Sequence, residues 1–334
     1  MPSVSLRSAP DVPGSRLVSL GSSQPAHVIA ASELGRPFGR DGDWITRRTG
    51  IAELRRTRSA DEALEHARRA ATTALHAARM SPEDIDLLLV ATCSLGDRVS
   101  TSARLAAAVA PQAAAMDINA ACSGFSYALD TADTLIRTGS ARRVLIVGVE
   151  WMSGMLDPDD LGSSIIFGDG AGAAVVLGAP EPTDIGIWPA ETGSDGTGAQ
   201  LIHAEPAGTG FRLQMSGSEV FRWAVSIVPD LIRGACARAG ITTRDIEVLA
   251  LHQANLRMID AISTQLDLDS GVHVLTDIVG SGNTSAASIP IALSKWCAEN
   301  TPSGAIALLA GFGAGLTFSA QAVRLPGNPL PPPG

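Results

Sequence analysis

The sequence of 334 residues contains one lysine, Lys295, and its 24 arginines are scattered through a chain of formal charge −9. Binding to nucleic acid or to an anionic membrane surface needs clustered cations, which a chain of pI near 5.1 does not offer. Neither partner is expected. Cysteine is also scarce: Cys93, Cys122, Cys236 and Cys297 show no Cys-x-x-Cys pair and no histidine at ligand spacing. That argues against a zinc site or a disulfide framework, so free thiols and no bound metal are expected. No run approaches the roughly 20 apolar residues of a membrane span. Residues 1–14 lack the apolar core of a secretory signal, and a cytoplasmic protein is expected. What the chain does have is 45% apolar content, enough for one large or two ordinary domains with a sizeable core.

One stretch organises the rest. In MDINAACSGFSYALDTADTLI (116–136) a short apolar run ends at Cys122, and Phe125, Leu129, Ala132 and Ile136 then recur at helical spacing. The thiol therefore sits on a strand-to-helix corner. Unpaired N–H groups and the positive end of a helix favour thiolate, so a lowered pKa and a nucleophile are expected there. For a lone cysteine the competing reading is a small buried core residue.

In chain order, a short strand at 17–21 precedes DWITRRTGI (43–51), a helix start that puts Trp44 and Arg48 four apart on one face. A helical pattern runs from Asp61 to Met80, followed by a buried strand at 84–92. The chain then repeats itself. EDIDLLLVA (83–91) parallels RDIEVLALH (244–252), with Asp84 and Asp245 161 residues apart. At that offset Cys122 falls on Asn283, and each residue opens an apolar helix-like segment. Gly-rich turns at 168–172 and 311–315 feed strands at an offset of 143, a drop explained by an insertion between Trp151 and Ser164. Neither turn carries the Lys-Ser/Thr of a phosphate loop, and both read as tight hairpin turns. The second could still approach Cys122 and offer a backbone N–H to an oxyanion. A duplicated α/β fold follows, with loose residues 1–14, halves at 15–178 and 179–325, and a Pro-rich tail at 326–334.

His252 closes a strand, where sites in α/β folds collect. With Cys122 and Asn283 at equivalent corners, Cys, His and Asn become a nucleophile with two hydrogen-bonding neighbours. The segments DWITRRTGI (43–51), AACSGF (120–125), FGDGAG (167–172), HQANLR (252–257), GNTSA (282–286) and GFGAGLT (311–317), in that order, resemble the type III 3-oxoacyl-(acyl carrier protein) synthases of the thiolase-like superfamily. The resemblance spans about residues 16–324.

It implies a thiolase-like αβαβα five-layer fold, a homodimer, and a Cys122-His252-Asn283 site at the foot of a pantetheine tunnel. Cys122 would take an acyl group from acyl-CoA or an acyl carrier protein, with Cys122 and Ala314 N–H groups as oxyanion hole. His252 and Asn283 would stabilise the enolate left by decarboxylation of a malonyl thioester, in fatty acid or polyketide initiation, without a cofactor. Trp44, Arg48, Phe221 and Asn255 would hold the pantetheine and nucleotide, and Arg222 and Arg257 would dock the carrier protein. Val99 would enter the partner subunit's acyl pocket in place of a family aromatic. Leu161 stands where relatives often carry an arginine, and Thr264 and Gln265 replace basic docking residues. The alternatives are an acyltransferase that forms no carbon–carbon bond, and a catalytically silent partner subunit; Asn283 argues against the first and the intact Cys, His and Asn against the second.

Overall fold

The strand Leu87–Ala91 is apolar at every position, as a parallel strand must be when helices cover both of its faces. In the computed structural model, which describes residues 12–96, 99–207, 210–300 and 304–327, it lies inside a five-stranded mixed sheet. The order across that sheet is Ser15–Ser23, Gly170–Gly178, Arg143–Glu150, Leu87–Ala91, Ala114–Ile118. A second sheet runs Glu191–Ser194, Thr317–Arg324, Ile306–Phe312, Val248–Leu251, His273–Val274. Both share one pattern, two antiparallel junctions followed by two parallel ones.

Alternate side chains then sort the helices into layers. Leu89 and Ala91 of the first sheet and Ala250 and Leu309 of the second meet Phe125, Leu129, Ile289 and Leu293 of the helices Gly124–Arg137 and Ser288–Asn300. Leu88 and Val90 face outward onto Ala60–Ala78 and Thr101–Val109. Leu249 and Leu251 face outward onto Gly217–Ala239 and Leu256–Ser263. Helices, sheet, helices, sheet and helices make five layers, the thiolase-like αβαβα arrangement.

The internal repeat needs a corrected register. Each half enters its central strand through a capping box, Ser81 with Asp84 and Thr242 with Asp245, which keeps the offset of 161. At the corners the equivalent residues are Ala121 and Ser285, with φ of 47° and 48°, an offset of 164. The residues before them, Ala120 and Thr284, also match, with ψ of 36° and 27°. Asn119 therefore corresponds to Asn283 and Cys122 to Ala286, so Cys122 and Asn283 are not equivalent. Between strand and corner the second half is three residues longer (87 to 121 against 248 to 285), which an offset read from the strands misses.

The Gly-rich segments also differ. Residues 313–316 do make a hairpin turn, since Phe312 pairs with Phe318 across antiparallel strands. Gly168 and Asp169 instead lead from the helix Leu161–Ser164 into Gly170–Gly178, with the Gly168 N–H donating to Asn283 O (3.0 Å). By strand pairing Arg143 matches Ile306 (offset 163) and Leu177 matches Arg324 (offset 147), so the first half carries 16 extra residues before its last strand. The insertion lies where it was expected, but Gly168 and Gly311 are not counterparts. At the ends, residues 1–11 of the expected loose segment and 328–334 of the Pro-rich tail lie outside the described residues. Val12 packs on the core and Pro13 O accepts from Arg137, so order begins before residue 15.

Candidate active site

Cys122 lies in the single turn Ala121–Ser123, immediately before the helix Gly124–Arg137, on the strand-to-helix corner that its sequence context implies. The left-handed φ of Ala121 makes the corner sharp. The loop from the second half closes over it: a Cβ on Gly313 would stand 2.7 Å from Cys122 Cβ and 3.1 Å from Sγ. Only glycine fits, so the backbone running from Gly313 into Ala314 passes directly over the thiol. The enclosure reverses the expected titration. Burial pushes the Cys122 thiol up to about 12; a hydrogen bond with Ser285 opposes this and the charge of Glu150 adds to it. Desolvation outweighs the helix end, and the resting group is a thiol.

His252 follows the strand Val248–Leu251 and is held by its own N–H to Ala310 O (2.8 Å) and by Phe312, whose ring meets the imidazole edge-on at 5.4 Å. Burial holds its pKa down to about 3, so the ring is neutral. Nδ1 lies 2.8 Å from Ser288 Oγ, which also accepts the Gln253 N–H (3.3 Å). That hydroxyl can still donate or accept, so it holds either tautomer of the ring. Asn283 is nearly buried, and its Oδ1 accepts the Ser285 N–H (2.9 Å). The amide is thereby oriented, with Nδ2 left without a protein acceptor among the described residues.

These three side chains line one chamber of about 120 Å³, whose apolar wall includes Met152, Phe167, Ile202 and Leu213. Phe221, Asn255, Met215 and Gly217 border both the chamber and a wider mouth of about 750 Å³. Trp44, Arg48, Leu161, Arg222 and Arg257 line that mouth, so the residues expected along the tunnel do share one channel. Asn255 has a second task there, capping the helix Leu256–Ser263 through Arg257 N–H (2.9 Å). Trp44 carries Arg48 at 5.4 Å and Arg40, which the sequence reading passed over, at 4.9 Å from its ring centre. Val99 is not brought to this chamber; it stands 61% exposed near the sheet edge.

The sequence reading also passed over Ser288, Ser285, Cys93 and Glu150. Cys93 shares the chamber, and its thiol donates to Glu150 Oε1 (3.3 Å). Glu150 is wholly buried behind it, and burial pushes its carboxyl above the usual range against hydrogen bonds from Ser94, Cys93 and Ser285. A signal existed: in Arg143–Glu150 an unbroken apolar run ends in a carboxylate. A charge at the end of a two-sided buried strand needs built partners.

Known proteins match this architecture over nearly all its length. The sequence model of 3-oxoacyl-[acyl-carrier-protein (ACP)] synthase III matches residues 116–196, and its C-terminal counterpart matches 236–325. The chain is 42% identical over 317 residues to beta-ketoacyl-[acyl-carrier-protein] synthase III 2 of Streptomyces avermitilis, covering 94% of this chain and 99% of the relative. It is 37% identical to the synthase III of Tropheryma whipplei, covering 93% and 99%. Among solved structures, the priming beta-ketosynthase of the R1128 polyketide biosynthetic pathway is similar with a TM-score of 0.91, at 36% identity over 97% of this chain and 99% of that one. The synthase III of Aquifex aeolicus gives 0.87 at 35% identity, over 93% and 100%. The chain belongs to the 3-oxoacyl-[acyl-carrier-protein] synthase III family.

Proposed function

We propose that the chain is a condensing acyltransferase that starts a fatty acid or polyketide chain, with Cys122, His252 and Asn283 as its catalytic residues. In the first half-reaction Cys122 Sγ attacks the thioester carbonyl of an acyl-CoA or acyl carrier protein. The backbone N–H groups of Cys122 and Ala314 receive the oxyanion, and the thiol proton passes through His252 Nε2 to the departing pantetheine sulfur. A ring held near pKa 3 does not keep that proton, which favours the relay over a stable ion pair.

In the second half-reaction the carboxylate of a malonyl thioester leaves as CO2, and its bonding electrons become an enolate. The enolate oxygen takes hydrogen bonds from His252 Nε2–H and Asn283 Nδ2–H. The carbanion then forms the new carbon–carbon bond at the acyl carbonyl, and Cys122 departs and is reprotonated. The observation that carries this reading is the Asn283 amide, fixed by Ser285 N–H so that a donor is left for the space shared with Cys122 and His252. Simple acyl transfer has no use for it. This chemistry calls for no metal or organic cofactor, because decarboxylation supplies the nucleophile.

The arginine-bearing mouth suits the phosphate of a pantetheine arm, with Trp44 and Arg48 toward the nucleotide and Arg222 and Arg257 toward an acidic carrier protein. The homodimer reading is supported by the edge strand Ala114–Ile118, whose outer side is unpaired among the described residues, by its exposed Met116, and by exposed Val99 two residues before Thr101, whose N–H donates to Asp117 of that strand. Among the described residues no helix is long and apolar enough to cross a membrane. The test is intact-protein mass after incubation with a panel of acyl thioesters, followed by CO2 release from a malonyl thioester. Loading without CO2 release from any malonyl thioester would replace condensation with transfer alone.

A further inference from the structure

Among the described residues Glu150 is the most heavily hydrogen-bonded buried acid, and it lines neither the chamber nor the mouth. It accepts from Thr92 Oγ1 (3.2 Å), Cys93 N (3.2 Å), Ser94 N (3.0 Å) and Ser94 Oγ on one side. On the other it accepts from Ser285 Oγ (3.0 Å) and Ala286 N (3.3 Å). Residues 92–94 follow the central strand of the first half, whereas Ser285 and Ala286 form the corner of the second. One carboxylate thus joins the two halves beside the site.

The pseudo-symmetry says what that place is. At the strand offset of 163, Glu150 is the counterpart of Gly313, as Gly148 is of Gly311. The contacts agree, because a Cβ on Gly311 would strike Ser123 (2.8 Å) and one on Gly148 would strike Ala286 and Ala287 (2.8 and 3.2 Å). Where Gly313 leaves the N–H of Cys122 open for a transient oxyanion, Glu150 fills the corresponding position with a carboxyl oxygen, bound to Ala286 N–H. The carboxylate bonds both Ser285 Oγ and Ala286 N–H, and so ties down the left-handed residue of this corner from two sides. Ser285 N–H in turn fixes the Asn283 amide.

We propose that Glu150 is a positioning residue for decarboxylation, acting through Ser285 to aim the Asn283 donor at the enolate oxygen. The inference rests on the condensing reading above. Glu150→Gln keeps the volume but turns an N–H toward donors, so the corner loosens, while for Cys122 the lost Glu150 charge removes one cause of its raised titration and does not slow loading. Misplacement of a reacting group by about 1 Å costs on the order of 100-fold.

The experiment uses the full chain with malonyl-CoA for CO2 release and an acyl-CoA for loading of Cys122. Glu150→Gln is expected to lower kcat for CO2 release by about 10- to 100-fold with KM within about threefold, while loading stays within about fivefold. Adding Glu150→Gln to Asn283→Ala should cost little more than Asn283→Ala alone, since both remove one function. CO2 release within threefold of wild type, or losses that multiply in the double variant, overturns the proposal. Should Glu150→Gln lose loading as well, Ser285→Ala, which removes the hydroxyl that bonds Glu150 and the Cys122 thiol but keeps the Ser285 N–H on Asn283, decides: a loss of CO2 release larger than any change in loading supports the proposal, and a wild-type rate of CO2 release overturns it. A wild-type chain that loads but releases no CO2 defeats the condensing reading itself, and Glu150's role with it.

Discussion

Residues 119–124 and 283–288 turn the chain in the same way: an asparagine whose Oδ1 accepts the N–H two residues on, a left-handed residue, a single tight turn, then a helix between the sheets. The occupants differ. In the first corner Cys122 stands at the turn, roofed by Gly313, and Asn119 is exposed. In the second, Ala286 replaces the thiol, Glu150 replaces the glycine, and Asn283 is buried in the chamber. Under the proposed function a duplicated backbone is divided into one corner that makes a covalent bond and one that stabilises a charge. What distinguishes them is access to the N–H at the turn.

The sharpest way to break that comparison is to move the thiol. Cys122→Ala should abolish acyl loading by intact mass, whereas Cys236→Ala and Cys297→Ala, buried far from the chamber wall, should leave it intact. Placing the thiol in the other corner, Ala286→Cys on the Cys122→Ala background, should restore nothing, because Glu150 occupies the position an oxyanion would need. A mass shift in that variant would show that the two corners are chemically interchangeable. Next in size is Asn283→Ala, which should still load acyl groups but lose malonyl decarboxylation by about 10²–10³-fold, the usual loss of one oxyanion donor, whereas His252→Ala should lose both, since the ring also relays the thiol proton during loading. Equal losses of loading and decarboxylation in Asn283→Ala would erase the division of labour between the corners.

Titration sharpens it further. With the Cys122 thiol at about 12, its alkylation by iodoacetamide should keep rising with pH from 7 to 10 and show no plateau near neutrality. His252 has a folded pKa of about 3, below its ordinary 6.5. The unfolded chain therefore gains a proton below pH 6.5 that the folded chain refuses, so the ring's contribution to stability is present above 6.5 and lost as pH falls toward 3. Between pH 6.5 and 4.5 that amounts to about 2–3 kcal/mol. His252→Ala should lose less of its melting temperature on acidification than wild type; an equal loss would show that the ring is not the titrating group.

The layers were legible because short unbroken apolar runs such as Leu87–Ala91 and the Ala-rich helix Ala60–Ala78 each carry their own pattern. The strand end bearing His252 and the corner bearing Cys122 were legible for the same reason. The equivalence of the corners was misread, since three residues added in one connection change no local pattern. The thiol's titration was misread because a helix end acts locally, while the desolvation that outweighs it comes from Gly313 and Phe312, some 190 residues away in sequence. Glu150 and Ser285 were missed as a pair, being 135 residues apart with Glu150 outside every motif that carries the resemblance.

The smallest expected effect tests a different contrast, between the sheet edges. The first sheet ends in the five-residue strand Ala114–Ile118 with Met116 exposed, and the second in the two-residue strand His273–Val274. The longer edge can pair with a second copy, which would carry Val99, 61% exposed here, toward the neighbour's chamber. Valine is smaller than an aromatic residue, so the pocket it helps to close should be deeper, and starters longer or bulkier than acetyl should load faster. Each buried methylene is worth about 0.8 kcal/mol, so two more carbons would favour the larger acyl group by up to about tenfold in kcat/KM. Val99→Phe should return the preference toward acetyl in the panel of acyl thioesters. An unchanged chain-length profile, or full activity from a chain that sediments as a monomer, would show that this edge does not build the pocket.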